Sequence, residues 1–194
     1  MKGYRKLRNK ALEILQTELS EDLSYHGFQH TLDVLKVCNQ YVKREKIDAH
    51  NAKLLRLGAL LHDIGFTISN IDHEERGVEI ADKLMTELDF SEKDINKVKG
   101  LILATRIPQT PKNHLEKIIC DADLDYLGRS DFYKISNFLF KELKVFDIIN
   151  TKYEWDKAQI RFLEAHKYHT DFALKYRQPN KEERIAELKQ AVAQ

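Results

Sequence analysis

Apolar residues recur at three- and four-residue intervals along almost the whole chain. Tyr4, Leu7, Ala11, Leu12, Leu15 and Leu19 form one stripe, and Val34, Leu35, Cys38, Tyr41 and Val42 form another. That period puts each set on a single face of a helix. The segment from Ala49 to Leu61 is apolar around most of its circumference and reads LLRLGALL near its end. Such a helix needs neighbours on nearly all sides and belongs at the centre of the fold. The pattern resumes with Val78, Ala81, Leu84, Met85 and Leu88, then with Ile95, Val98, Leu101 and Ile102. It continues through Leu115 to Leu127, Phe132 to Phe146, and a stretch containing Trp155, Ile160, Phe162, Leu163 and Ala165. A charged helix, KEERIAELKQ, follows Pro179.

Turn signals fall between these segments. Gly65 follows the buried helix, Ser91-Glu92-Lys93-Asp94 reads as an N-cap with acidic residues in the first turn, and Pro108 and Pro111 bound a loop. No alternating run demands a strand, and no repeat or Gly/Ser/Pro-rich linker divides the chain. The expectation is an all-α protein of about eight or nine helices forming one domain over 1–194.

Composition narrows the class further. The chain has 194 residues, 42% hydrophobic and 32% charged, with 7 Gly and 3 Pro, which excludes a disordered or collagen-like polymer. Its net charge of +1 supplies no basic field for nucleic acid. No apolar run approaches the ~20 residues that span a bilayer, and MKGYRKLRNKALEIL lacks a signal-peptide core. Cys38 and Cys120 sit inside apolar helical patterns, as reduced, buried thiols of a cytoplasmic protein would. The expected setting is therefore soluble and cytoplasmic, with neither a nucleic-acid nor a membrane partner.

The distribution of His and Asp carries the chemistry. His26 and His30 are four apart and would share a helix face. His62-Asp63 closes the most hydrophobic helix, where titratable groups are costly unless paired or bound to metal. Asp121 and Asp123 lie in another apolar stretch, IICDADLDYLG. Each node alone reads as a surface pair, a helix-end His or a cap. Together, two imidazoles and two carboxylates suit a divalent ion of the Mn, Fe, Co, Ni or Zn type, with positions left for water and substrate. His166 and His169 are spaced like a ligand pair but lack a third partner, and a solvent-facing place is expected for them.

At these residues the chain resembles the HD-domain metal-dependent phosphohydrolases, which carry a His, a His-Asp pair and a distant Asp on a core of about five helices. The pattern reads here as His30 in YHGFQHT, His62-Asp63 in LLHDIG and Asp123 in DADLDYLG. It covers about 20–130, with 131–194 as a helical extension. The resemblance implies one divalent ion (Mn, Fe, Co, Ni, Mg or Zn) held by His30, His62, Asp63 and Asp123, with Asp121 as the lesser candidate for the last ligand. YHGFQHT is similar to a segment of the cyclic-nucleotide phosphodiesterases, which implies that His26 donates a proton to the leaving group; Gly27 stands where they have Asn. Two-metal members add two histidines. His73 could supply one, but Thr105 stands near the place of the other, so His73 is assigned to substrate, water or a helix cap.

Arg106 and Arg129 are the candidate cations for a small phosphorylated substrate, expected to be a nucleotide. Asp63 would orient the water that an ion acidifies. The rival classes are a non-catalytic metal- or nucleotide-binding regulatory module and, at a lower rank, a di-iron oxygenase, which would need both extra histidines. Neither the oligomeric state nor the native metal is encoded in these motifs.

Overall fold

Polar side chains cap the starts of five helices in the computed structural model, which describes residues 1–193. Asp48 accepts from the backbone of His50 and Asn51 and opens α3 (Ala49–Leu61). Ser91 accepts from Asp94 at the start of α5 (Glu92–Ala104), and Asn113 from Glu116 at the start of α6 (His114–Asp123). Thr151 and Glu154 form a reciprocal capping box on α8 (Lys152–Ala165), and Thr170 caps α9 (Asp171–Tyr176). Each cap satisfies an N–H that has no partner within its helix. The remaining helices are α1 (Tyr4–Glu18), α2 (Phe28–Arg44), α4 (His73–Glu87), α7 (Phe132–Val145) and α10 (Gln178–Val192). Short 3₁₀ turns occupy Ile64–Thr67 and Asp125–Gly128, and the described residues contain no strand.

The fold is all-α, as the periodicity predicts, with ten helices among the described residues against an expected eight or nine. The increment comes from the last third, where the chain breaks after Ala165 and again at Arg177. Pro179 lies in the first turn of α10, where a missing N–H costs nothing. The apolar run from Leu115 to Leu127 is likewise discontinuous: α6 ends at Asp123 and a 3₁₀ turn follows.

The all-round hydrophobicity of α3 has a direct explanation. Leu54, Leu57, Leu60 and Leu61 pack with Leu7, Ala11 and Leu15 of α1, Met85 of α4 and Val98 of α5. Leu55 and Ala59, on the opposite side, pack with Val34, Val37 and Tyr41 of α2 and Ile118 of α6. One helix thus belongs to two apolar clusters. A third cluster joins Tyr25, Leu124 and Leu127 to Phe132, Leu163, Tyr168 and Leu188, and so seats the C-terminal third on the end of the core.

Polar ties reinforce that seat. Buried Asp121 accepts from the backbone N–H of His169 at 2.9 Å and from the N–H and hydroxyl of Thr170 at 2.8 and 2.6 Å. Arg177 donates to both oxygens of Asp125, at 2.7 and 3.2 Å. Asn180 donates to the carbonyl of Gly128 at 2.8 Å. The residues that flank Asp123 at the end of α6 are thus tied to the C-terminal third. Cys38 and Cys120 are buried and unpaired, and no helix among the described residues is long and apolar enough to cross a membrane.

Candidate metal centre

His62 follows the last turn of α3 and is fully buried. Its Nδ1 lies 3.0 Å from the carbonyl oxygen of Ala59. A carbonyl only accepts, so Nδ1 carries the hydrogen and Nε2 faces inward as the free nitrogen. That Nε2 is 3.3 Å from Nε2 of His30, 3.2 Å from Oδ2 of Asp63 and 3.5 Å from Oδ1 of Asp123. Nε2 of His30, in the first turn of α2, is 3.0 Å from Asp123 Oδ1 and 3.4 Å from Asp63 Oδ2. Two imidazoles and two carboxylates from three helix ends therefore point at one spot.

Adjacent residues on a helix diverge by about 100°. His62 and Asp63 converge because the helix has already broken: Asp63 has φ −106° and ψ 7° and leads into the 3₁₀ turn. Asp121, two residues before Asp123 on the same helix, points away and is spent on His169 and Thr170. The structure brings Asp123, and not Asp121, to the histidines.

Electrostatics show what the spot requires. Burial pulls the His62 imidazole down, but the carboxylates of Asp63 and Asp123 lift it well above its ordinary value. Burial pushes Asp63 up, yet His62 first and His30 after it hold it far below the usual carboxylate range. The pocket stabilises positive charge. Moreover, Oδ2 of Asp63 is buried and accepts no hydrogen bond, a condition that costs about 1–3 kcal/mol when nothing compensates it. Reactive atoms of His30, His62 and Asp123 lie within 4.8 Å of one another. This N₂O₂ donor set, with one orphaned carboxylate oxygen, fits a divalent ion of borderline or hard character and not a thiolate-seeking one.

His26 does not share a helix with His30, contrary to the four-residue spacing. The helix begins at Phe28, and Gly27 is extended (φ −88°, ψ −179°). A Cβ on Gly27 would stand 2.7 Å from the Leu23 carbonyl oxygen, so the turn tolerates no side chain there. The two rings nonetheless approach edge to face, with centroids 6.2 Å apart. His26 stacks on Phe66 at 4.4 Å, and His73 stacks on Phe66 at 4.1 Å.

Glu142 of α7 is a site residue that motif reasoning missed. Its Oε2 accepts from the backbone N–H of Tyr25 at 2.7 Å and of His26 at 3.0 Å, while Oε1 pairs with Nδ1 of His26. Burial would lower the His26 pKa, but the Glu142 hydrogen bond and the surrounding carboxylates raise it. Glu142 is itself held below its usual range, against burial, by His26. Since an ionised carboxylate only accepts, His26 carries a hydrogen on Nδ1 and presents Nε2 outward. Glu142 lies about 80° and 120° around α7 from the buried Phe132 and Ser136, so helical spacing does not mark it, although the packed helix buries it too.

Other expected residues take different places. His73, the first residue of α4, reaches Asp63 Oδ1 at 3.7 Å and Glu74 at 3.3 Å and lies beside the four converging groups. Arg106 is paired with Glu75, with Asp72 and Glu74 both at 3.9 Å. Arg129 is held by Asp33 at 2.6 Å and Asp131 at 2.8 Å, with Asp125 at 3.7 Å. Both guanidiniums are committed to carboxylates, so neither stands as the free cation expected for a phosphate. Thr105 turns its hydroxyl to the Ile102 carbonyl at 2.8 Å. His166 and His169, expected in solvent, are half-buried, and the Nε2 atoms of both are enclosed without a partner. The α8–α9 connection folds inward to satisfy Asp121 and carries them with it.

With this geometry in view, the family is plain. The HD domain model matches residues 27–125, and the chain belongs to the HD domain family. It is similar in fold to a predicted HD superfamily hydrolase from an uncultured Thermotogales bacterium, with a TM-score of 0.59 and 24% identity over 95% of this chain and 88% of that one. No curated protein matches the chain.

Proposed function

We propose that this protein hydrolyses a phosphate ester, its substrate a nucleotide, using one divalent ion held by His30, His62, Asp63 and Asp123. The observation that supports this most is the pairing of a convergent, cation-seeking donor set with a separate imidazole, His26, that a buried carboxylate keeps supplied with a proton. A structural ion site has no use for such a donor. An ion bound there supplies a Lewis acid and a water acidified toward neutrality.

The chain's own groups do the rest. His62, fixed through Nδ1, and Asp123, anchored at the end of α6, hold their donor atoms without rearrangement. Asp63 keeps one oxygen toward the imidazoles and the other toward His73, a placement suited to orienting a water. His26 delivers the proton from Nε2 to the departing alkoxide, and Glu142 stabilises the imidazolium that does so. Phe66, between His26 and His73, restricts both rings. The unpaired thiols of Cys38 and Cys120 support a reducing, cytoplasmic setting.

A hydrolysis screen with Mn²⁺, Co²⁺, Ni²⁺ and Mg²⁺ across nucleotides, cyclic nucleotides and simple phosphate esters tests the activity. His26→Ala then tests the assignment. It should keep fold and metal while losing about 10²–10⁴-fold in turnover, and lose much less on a nitrophenyl ester, whose leaving group departs without a proton. Full activity of this variant on every accepted substrate would sink the assignment.

A further inference from the structure

The segment that carries His26 and the helix that carries Glu142 are also the walls of a cavity of about 460 Å³. Leu23, Tyr25 and Phe28 line it from the approach to α2, and Ile135 and Phe138 line it from α7. Its size falls within the ~300–1,000 Å³ of small-molecule sites, and its walls share their apolar and aromatic character. The walls are also within reach of a guest. Phe138 is 36% exposed, and Ser24, Gln29 and Lys134, which line the same space, are exposed too.

Arg129 holds the two walls at a fixed spacing. It donates to Asp33 of α2 at 2.6 Å and to both oxygens of Asp131, just before α7, at 2.9 and 2.8 Å. A cavity braced in this way spends little free energy on ordering itself around a guest. The same pairs say what the guest is not. Asp33 and Asp131 are spent on Arg129 and draw no cation, while a guanidinium shared between two carboxylates has little left for a phosphate. Lys134 is the one lining charge without an ion-pair partner among the described residues. The space suits an apolar body with an uncharged or weakly negative edge.

The cavity adjoins the candidate centre. His30 is both one of the four converging groups and a lining residue. The Tyr25 ring, part of the wall, has its centroid 4.7 Å from that of His30 and 4.7 Å from that of His26. An alkoxide that takes its proton from His26 therefore departs beside this apolar space.

We propose that the cavity receives the flat apolar body of the leaving group, which in a nucleotide is the base, and selects it by ring area more than by hydrogen bonds along its edge. The proposal rests on the reading of the adjacent centre as a phosphohydrolase. Tyr25, Phe28 and Phe138 offer aromatic surface to such a body, and contact of this sort tolerates any base because every base has a flat face. Gln29 and Lys134 have flexible, exposed ends, so they add hydrogen bonds without demanding one edge pattern.

Hydrolysis of 2-phenylethyl phosphate against ethyl phosphate tests the subsite. Both leave as primary alkoxides that need a proton, and they differ by the ring alone. The wild type should favour the phenyl ester at least tenfold in kcat/KM, mainly through KM. Phe138→Ser, at an already exposed position, should bring that preference close to unity, and Ile135→Ala gives a second wall position if the first variant fails to fold. Saturation-transfer NMR with 2-phenylethanol, which needs no turnover, should show binding to the wild type and tenfold weaker binding to Phe138→Ser. A wild type that treats the two esters alike would overturn the proposal, as would a preference that survives both variants. Equal losses on both esters, with a shift in the pH profile, would mean that α7 acts only through Glu142, and would overturn it too. A wild type that binds 2-phenylethanol through Phe138 but cleaves no phosphate ester would refute the phosphohydrolase reading and, with it, the assignment to a leaving group.

Discussion

Glu142→Gln changes one charge and almost no volume. The amide oxygen can go on accepting from the backbone N–H groups of Tyr25 and His26, now at 2.7 and 3.0 Å. Its NH₂ is then left against Nδ1 of His26, where an acceptor stood. Nδ1 must give up its hydrogen, and a neutral ring with the proton on Nε2 replaces the imidazolium. Removing a contacting carboxylate lowers such a pKa by about 1–3 units, each unit being about 1.4 kcal/mol. Above the new pKa the population of acid falls in proportion, so turnover of an ester with an alkoxide leaving group should drop about 10–10³-fold, within the range of general acid catalysis.

The assay is kcat against pH with metal content measured in parallel. The alkaline limb should move to lower pH by that same shift, and a nitrophenyl ester should lose little. An alkaline limb that stays in place with kcat unchanged would refute the role of Glu142. Stability gives a second readout. The His26 pKa is raised from 6.5 in the fold, so its contribution is complete below 6.5 and is lost as pH rises through the folded value. The Glu142 pKa is lowered from 4.5, so its contribution is present above 4.5 and is lost as pH falls through the folded value. The gap between wild type and Glu142→Gln should therefore be widest between pH 4.5 and 6.5.

Purified wild type should contain about one divalent ion per chain by elemental analysis and His62→Ala should contain none; free Mn²⁺ at a hundred times its Kd should stabilise only the wild type, by about 2.7 kcal/mol. Two fully occupied ions per chain would contradict the single-ion reading. A Cβ on Gly65 would collide with the carbonyl of His73 and stand 2.8 Å from the nitrogen of Gly77, so Gly65→Ala should shift the start of α4 and cost about 3 kcal/mol; an unchanged melting temperature would show that this contact is not rigid. Arg177→Met leaves Asp125, 2% exposed, facing a methyl. Denaturant titration should show a loss near the low end of the roughly 3–5 kcal/mol for breaking a buried pair, because Arg129 remains 3.7 Å away.

Local chemistry made much of this readable in advance. The helical period, the fully buried Ala49–Leu61 segment, the Ser91 cap and the nodes at His30, His62-Asp63 and Asp123 are all patterns within a few residues. What failed needed longer reach. The spacing of His26 and His30 implied a shared helix, but the Leu23 carbonyl beside Gly27 starts that helix later. Arg106 and Arg129 looked available because their acidic partners, Glu75 and Asp33 among them, approach only when α2, α4 and the loops pack. His166 and His169 offered no local sign of the Asp121 clamp that draws their segment inward. Glu142 lies 116 residues from His26, and no spacing rule links the two.

That separation sets an order of events in the making of the protein. His30, His62, Asp63 and Asp123 all precede Glu142 in the chain, and domains consolidate from their N-terminal side as the chain emerges. The elements that carry His30, His62 and Asp63 can thus pack while His26 still lacks Glu142, the carboxylate that pairs with it. Closing so wide a loop is among the slower steps a fold can require. The stretch that the HD model matches, 27–125, stops short of that partner. An excised core of those residues would keep His30, His62, Asp63 and Asp123 but would lack both His26 and Glu142.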